Sequence, residues 1–171
     1  LMDKHVTAAS VVVIDNRTGD ILAYVGSANF FDEGALGQND GVLALRQPGS
    51  TLKPFLYELG FETRGWTPRT MLPDVELHVP VRGVDFSPKN YDGAYHGPVL
   101  LRVALGSSLN VPAVFAIGEV GVPAFLDRLH ALGFGSLKET AETYGPSLAL
   151  GDGEVTLLEL VRAYAALANG G

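Results

Sequence analysis

The chain has 171 residues, enough for one sizeable hydrophobic core, and its 47% hydrophobic, 18% charged composition excludes wholesale disorder. A formal net charge of −7 with scattered Lys and Arg disfavours a nucleic-acid surface, and the lack of cysteine excludes disulfides, thiol catalysis and thiolate metal sites. No run of 18 apolar residues and no basic-then-apolar leader occurs, so if a parent protein is exported or membrane-anchored, the segment responsible lies outside these residues.

In chain order, residues 6–26 predict a β-hairpin. The run Val11-Val12-Val13-Ile14 is of the kind expected for a strand buried on both faces, Asn16-Arg17-Thr18-Gly19-Asp20 is turn chemistry, and Ile21-Leu22-Ala23-Tyr24-Val25 returns as the second strand. Residues 27–47, rich in Gly, Asn and Asp, predict a loop. Pro48-Gly49-Ser50 then opens a helix, with Ser50 suited to cap it, Pro54 in the first turn, and Leu52, Phe55, Leu56 and Leu59 as its apolar stripe. Residues 67–97 carry many Pro, Gly and Asp. They predict a long surface excursion of limited structure, with one edge strand alternating through Val75, Leu77, Val79 and Val81.

The second half reads as helical, over 100–105, 112–119 and 123–132, with a break at Gly106-Ser107-Ser108. Thr156 and Glu159 form a capping box that opens a last helix running to Gly170-Gly171. The periodic order is therefore two strands first and helices after. Two strands alone are marginal, so other strands must complete the sheet.

Ser50-Thr51-Leu52-Lys53 is the leading chemical candidate. A spacing of three puts hydroxyl and amine on one helical face, within hydrogen-bonding reach. Serine is a poor nucleophile until a base takes its proton, and lysine is a base only when its surroundings lower its pKa toward neutrality. At a helix start the Ser50 N–H and the helix dipole also suit an oxyanion. The pattern itself is cheap, arising by chance in roughly half of chains this long, so its neighbours Gln47-Pro48-Gly49 and Pro54-Phe55 matter. The second candidate is Ser108-Leu109-Asn110, in the break between helices, where a hydroxyl can relay a proton and an amide can hold a substrate carbonyl. Plain helix capping is the alternative use of both residues. Ser27-Ala28-Asn29 matches the same pattern in a loop upstream of Ser50 and is read as a decoy. His5, His78, His96 and His130 lie at no ligand-like spacing and read as surface or partly packed residues, so no metal site is expected.

With S-x-x-K and S-x-N in order, the chain resembles the bifunctional, class A penicillin-binding proteins. The resemblance is carried by residues 47–55, by Ser87-Pro88-Lys89-Asn90-Tyr91-Asp92-Gly93, and by Gly97-Pro98-Val99-Leu100-Leu101-Arg102. It continues through residues 108–114, Pro146-Ser147-Leu148-Ala149-Leu150-Gly151 and residues 154–171. It implies an α/β fold of the serine β-lactamase and penicillin-binding transpeptidase type, an antiparallel sheet with flanking helices. Residues 1–171 are then a partial transpeptidase domain: the N-terminal hairpin plus the helical part, without the C-terminal strands.

The resemblance further implies a D,D-transpeptidase of a peptidoglycan synthase. Ser50 would be acylated by a D-alanyl-D-alanine stem peptide, with Lys53 as base, Ser108 as proton relay and Asn110 as a clamp on the substrate backbone. The implied partners are peptidoglycan stem peptides and β-lactam antibiotics, the latter acylating the same serine, with no nucleic acid and no metal or organic cofactor. The implied parent is membrane-anchored, with an upstream glycosyltransferase domain, and works on the periplasmic face of the inner membrane.

Two departures qualify the match. The middle residue of the second motif is Leu109, not Asp, which is similar to the class A synthases and points away from the class A β-lactamases. No K-T-G motif follows Asn110, and Arg17-Thr18-Gly19 reads as a turn rather than as that motif. The isolated 171 residues are therefore expected to show little or no transpeptidase activity. The alternatives are a β-lactam or peptidoglycan sensor, a degenerate wall-binding domain, and a serine β-lactamase-like domain. For the last, Glu139 and Glu142 are the carboxylates to weigh as deacylating bases, though a solvated helix face accounts for them better.

Overall fold

The computed structural model describes residues 8–170; Val6, the predicted start of the hairpin, His5 and Gly171 lie outside them. In chain order the elements are β1 (Val11–Ile14), β2 (Ile21–Val25), α1 (Lys53–Arg64), β3 (Met71–Asp74), β4 (Val79–Val81), β5 (Val84–Phe86) and β6 (Gly97–Leu100). There follow α2 (Leu101–Gly106), α3 (Asn110–Val120), α4 (Val122–Ala131), α5 (Ala141–Tyr144) and α6 (Leu157–Ala168). The chain divides into two compact units, one taking in residues up to Gln47, His130–Lys138 and Glu154 onward, the other Pro48–Leu129 and Glu139–Gly153.

In the first unit β1 and β2 pair antiparallel, Val11 opposite Val25 and Val13 opposite Ala23. Asp15 Oδ1 accepts the Arg17 N–H at 2.8 Å and Gly19 takes a φ of 79°, so Arg17-Thr18-Gly19 is a turn, as its composition indicates. The expected burial of β1 on both faces is not met: Val11 is 48% and Val13 43% exposed, whereas Val12 and Ile14 are half-buried. The reason is that a two-stranded ribbon has one helix, α6, packed against β1, and one helix covers one face. That helix starts at the predicted capping box. Thr156 Oγ1 accepts the Glu159 N–H at 3.1 Å, and Glu159 Oε2 accepts the Thr156 N–H at 2.8 Å. Glu159 Oε1 also accepts from the backbone and hydroxyl of Ser136, tying that loop to the helix start.

The second unit is organised around α3. This helix is apolar nearly all round, with Val111, Pro112, Ala113, Val114, Ala116 and Ile117 buried, as a central helix must be. It packs on α1, β3 and the 3₁₀ segment Gly145–Leu150. On α1 the predicted stripe residues Phe55, Leu56 and Leu59 are all buried, each burial stabilising by about 1.5–3 kcal/mol. Pro54 occupies the first turn, and α1 ends at Gly65 in the left-handed conformation. Gly60 has no room for a side chain, because a Cβ there would lie 2.1 Å from the Trp66 ring.

Residues 67–97 hold more structure than their composition suggests. β3 pairs antiparallel with β6, from Met71 opposite Leu100 to Asp74 opposite Gly97. β4 and β5 form a hairpin whose two turn residues, Arg82 and Gly83, both have positive φ (51° and 80°), the geometry that primed turns require. Proline density reads as loop, yet Pro73 and Pro98 face each other in a two-stranded pair, where every strand is an edge and missing N–H groups are tolerated. The strand pairs β3–β6 and β4–β5 thus lie between α1 and α2, which overturns the simple order of strands before helices. Among the described residues the sheets are three antiparallel pairs.

Candidate active site

Ser50 lies in the 3₁₀ turn Gly49–Leu52 that leads into α1, and it is exposed. Gly49 makes the sharp approach with a φ of 58°. Ser50 does not cap the helix. Its carbonyl accepts the Lys53 N–H, while its hydroxyl makes no hydrogen bond among the described residues. The floor beneath the turn is Gly151: a Cβ there would come within 2.3–2.4 Å of the Gly49 N, Cα and O.

Lys53 is fully buried, one of only three buried polar or charged side chains among the described residues, with Asp74 and Asn90. Its Nζ donates to Ser108 O at 2.7 Å, Asn110 Oδ1 at 2.8 Å and Leu109 O at 3.1 Å, and lies 3.3 Å from Ser108 Oγ. The three short contacts match the three protons of an ammonium group. Loss of one proton frees a lone pair that the Ser108 hydroxyl can reach. Burial disfavours the charged form and brings the amine down to about 8 from its ordinary 10.5. The expected direct hydrogen bond between Ser50 and Lys53 is absent among the described residues. A buried amine binds carbonyl oxygens in preference to an exposed hydroxyl, and residues 108–110 supply them from more than fifty positions away.

The turn at residues 108–110 is bent for this purpose. Ser108 has a φ of 54°, unusual for a residue with a Cβ, and its N–H is held by Leu105 O at 3.0 Å. Leu109, not a polar side chain, occupies the N-cap of α3, so neither Ser108 nor Asn110 serves as a simple cap. A cleft of about 380 Å³ opens beside this turn, lined by Ser108, Leu109, Asn90, Asp92, His96 and Val103. Ser108 faces it as expected. The Asn110 side chain instead spans Lys53 and the Lys89 carbonyl, to which its Nδ2 donates at 2.9 Å.

Two residues that the sequence did not single out complete the surroundings. Asp74 is fully buried, Asn90 is 5% exposed, and the Asn90 amide donates to both Asp74 carboxylate oxygens, at 2.7 and 3.0 Å. Nothing in local spacing marks Asp74. Asn90 falls inside the segment that carried the resemblance, but no chemical pattern flagged it. The remaining candidates sit apart from this chemistry. Glu139 and Glu142 are exposed, Ser27 serves its own loop through Gly37 O at 2.5 Å, and His78 pairs with the exposed Asp85 at 2.5 Å.

An exposed serine in a tight turn, a buried lysine lowered toward neutrality one turn on, and a hydroxyl against that lysine suit an active-serine acyl transferase. The penicillin binding protein transpeptidase domain family matches residues 9–171. "Penicillin-binding protein 1A" of Neisseria cinerea is 36% identical over the whole of this chain and 21% of its own length. "Penicillin-binding protein 1C" of Escherichia coli is 33% identical over 96% of this chain and 21% of its own. Among solved structures, penicillin-binding protein 1A from Haemophilus influenzae superposes with a TM-score of 0.84 at 32% identity, covering 95% of this chain and 23% of that one. The chain belongs to the penicillin-binding protein transpeptidase family and has its α/β fold. It spans about a fifth of the length of the curated relatives it matches.

Proposed function

We propose that residues 1–171 form part of the D,D-transpeptidase domain of a peptidoglycan synthase working at the periplasmic face of a cell envelope, with Ser50 as nucleophile. The observation that carries this reading is the Lys53 amine: fully buried, drawn down to about 8, and placed one turn after an exposed serine. Lys53 takes the Ser50 proton as Oγ attacks the carbonyl carbon of the penultimate D-alanine of a stem peptide. The C–N bond then breaks, and the leaving D-alanine amine receives its proton through Ser108, whose hydroxyl lies 3.3 Å from Nζ. The acyl group remains on Ser50 until the amine of a second stem peptide attacks it, loses its proton to the same base, and releases the serine. A β-lactam enters at the first step and stays, because its leaving amine remains tethered.

Asn110 uses one amide proton on Lys89 O, which leaves the other for a substrate carbonyl. In this reading its first duty is to Lys53, and substrate holding is second.

The test uses the full-length protein that carries this chain. A fluorescent penicillin is expected to form a stable adduct on Ser50, located by mass spectrometry and lost in Ser50→Ala. Paired donor and acceptor stem peptides are expected to give one D-alanine released per cross-link. Labelling of Ser50→Ala equal to wild type would sink the assignment. Labelling of Ser50 without any peptide transfer points to a sensor, and rapid hydrolysis of the adduct to a β-lactamase.

A further inference from the structure

We infer that Asn90, clamped by the buried Asp74 carboxylate, is the positioning residue that fixes the turn at residues 108–110 against the Lys53 amine. The inference rests on the reading of Ser50 and Lys53 above. It names a part of that machinery that acts through the backbone of α3 rather than on the reacting atoms.

Every hydrogen-bonding position of the Asn90 amide is used: two protons serve three acceptors, and two lone pairs accept two N–H groups. Nδ2 donates to Asp74 Oδ1 at 2.7 Å, to Asp74 Oδ2 at 3.0 Å and to Ala94 O at 2.8 Å. Oδ1 accepts the backbone N–H of Asn110 at 2.8 Å and of Val111 at 3.3 Å. This orientation is forced. Turning the amide over would set its NH₂ against two N–H donors, and its oxygen against a carboxylate and a carbonyl.

Asn110 and Val111 are the first two residues of α3, and their N–H groups are among those a helix cannot satisfy internally. The N-cap residue, Leu109, has no side chain able to do it. Asn90 therefore caps α3 from twenty positions upstream in the chain. The same Asn110 places its Oδ1 2.8 Å from Nζ, next to the Ser108 and Leu109 carbonyls. The set of acceptors around the base is thus held through Asn90, and Asn90 is held through Asp74.

The charged groups facing Asp74 are few. His96 gives it two bonds, from its backbone N–H at 3.0 Å and its Nδ1 at 2.6 Å, while His96 Nε2 reaches Asp92 at 3.2 Å. β3, which carries Asp74, packs on β6, α2 and α3. β6 has no titratable side chain, and Arg102 of α2 and Glu119 of α3 are exposed and make no hydrogen bond or ion pair to Asp74 among the described residues. On the other side of Asn90, Lys53 is the charged group that Asn110 meets.

The experiment follows penicillin acylation of the full-length protein against pH, in wild type and three variants. Asn90→Ala leaves the two N–H groups uncapped and is expected to slow acylation at neutral pH by about ten- to a hundredfold, the scale of a small misplacement in a reacting site. Asn90→Asp keeps an acceptor toward α3 but sets a second carboxylate against Asp74. Two carboxylates in contact keep one shared proton to a higher pH than a lone carboxylate would, and repel each other once it is lost. Its acylation is therefore expected to be nearest wild type on the acid side and to fall away as pH rises, opposite to wild type. The exchange Asp74→Asn with Asn90→Asp restores one amide and one carboxylate and is expected to recover neutral-pH acylation. A merely structural role would lower the active fraction without reversing the pH profile.

Wild-type labelling with an unaltered rate and profile in Asn90→Ala overturns the inference alone. So does a double variant no better than Asn90→Asp, including the case in which Asn90→Ala fails to fold. If wild type is not labelled on Ser50, the functional reading falls instead. The inference is then decided by NMR titration of the Lys53 amine: in Asn90→Ala the oxygens that stabilise its charged form are no longer held together around it, its pKa is expected to fall below about 8, and an unchanged titration overturns the inference.

Discussion

Burial and its hydrogen-bond acceptors act on Lys53 in opposite ways. Burial removes water and lowers the amine to about 8, while three carbonyl-type oxygens keep it fixed in place. On the proposed assignment of Lys53 as base, the reactive form is the neutral amine, whose fraction rises about tenfold per pH unit below that value and levels off above it. Acylation of Ser50 in the full-length protein is therefore expected to climb from pH 6 to about 8 and then flatten, as measured by stopped-flow with a chromogenic β-lactam. Lys53→Arg, charged at every accessible pH, is expected to remove this limb altogether and lower acylation by at least about a hundredfold. Ser50, Lys53, Ser108 and Asn110 were legible as candidates, because S-x-x-K and S-x-N are local spacings set in an ordered series of landmarks. The partners of the lysine were not. Its acceptors come from 55–57 positions further on, and a spacing within one helical turn says nothing about them.

At the scale of elements, the approach of two glycines decides where Ser50 sits. Gly151, at a φ of 83°, ends the 3₁₀ segment Gly145–Leu150 and lies directly against Gly49. In Gly151→Ala the new Cβ would meet backbone atoms, which cannot swing aside as a side chain can, so the turn bearing Ser50 must move. Penicillin acylation is expected to drop by about ten- to a hundredfold. Gly170→Ala is the control: its φ of 85° imposes a like backbone strain, but open space surrounds it, and labelling should be unchanged. The long helices were readable from periodicity, and the Thr156 capping box from four residues. β3 to β6 were not, because their prolines and glycines carry loop statistics while the pairing partners lie far apart in sequence, Met71 with Leu100 for one. The positive φ of Ser108 was equally hidden, since serine does not advertise a left-handed backbone as glycine does.

Over the whole molecule, burial is unevenly spread. In the second unit α1 and α3 are lined with fully buried side chains, whereas the described apolar residues buried in the first unit are Val42, Phe134, Leu137, Val155 and Ala163. Both strands of the β1–β2 hairpin expose apolar residues, Leu22 by 65% and Ile21 by 50%. Amide hydrogen exchange is expected to be slowest in α1 and α3 and faster by at least about a hundredfold in β1 and β2. Equal protection of hairpin and helices would contradict this distribution. The amine at Lys53 finds its acceptors only when two stretches of chain more than fifty residues apart have come together. Local helix formation, which takes about a microsecond, cannot assemble such a site. On the proposed assignment of Ser50, reactivity toward penicillin would serve as a chemical clock for maturation: a newly made or collapsed chain with helices already wound is expected to stay silent to the drug until its long-range packing closes.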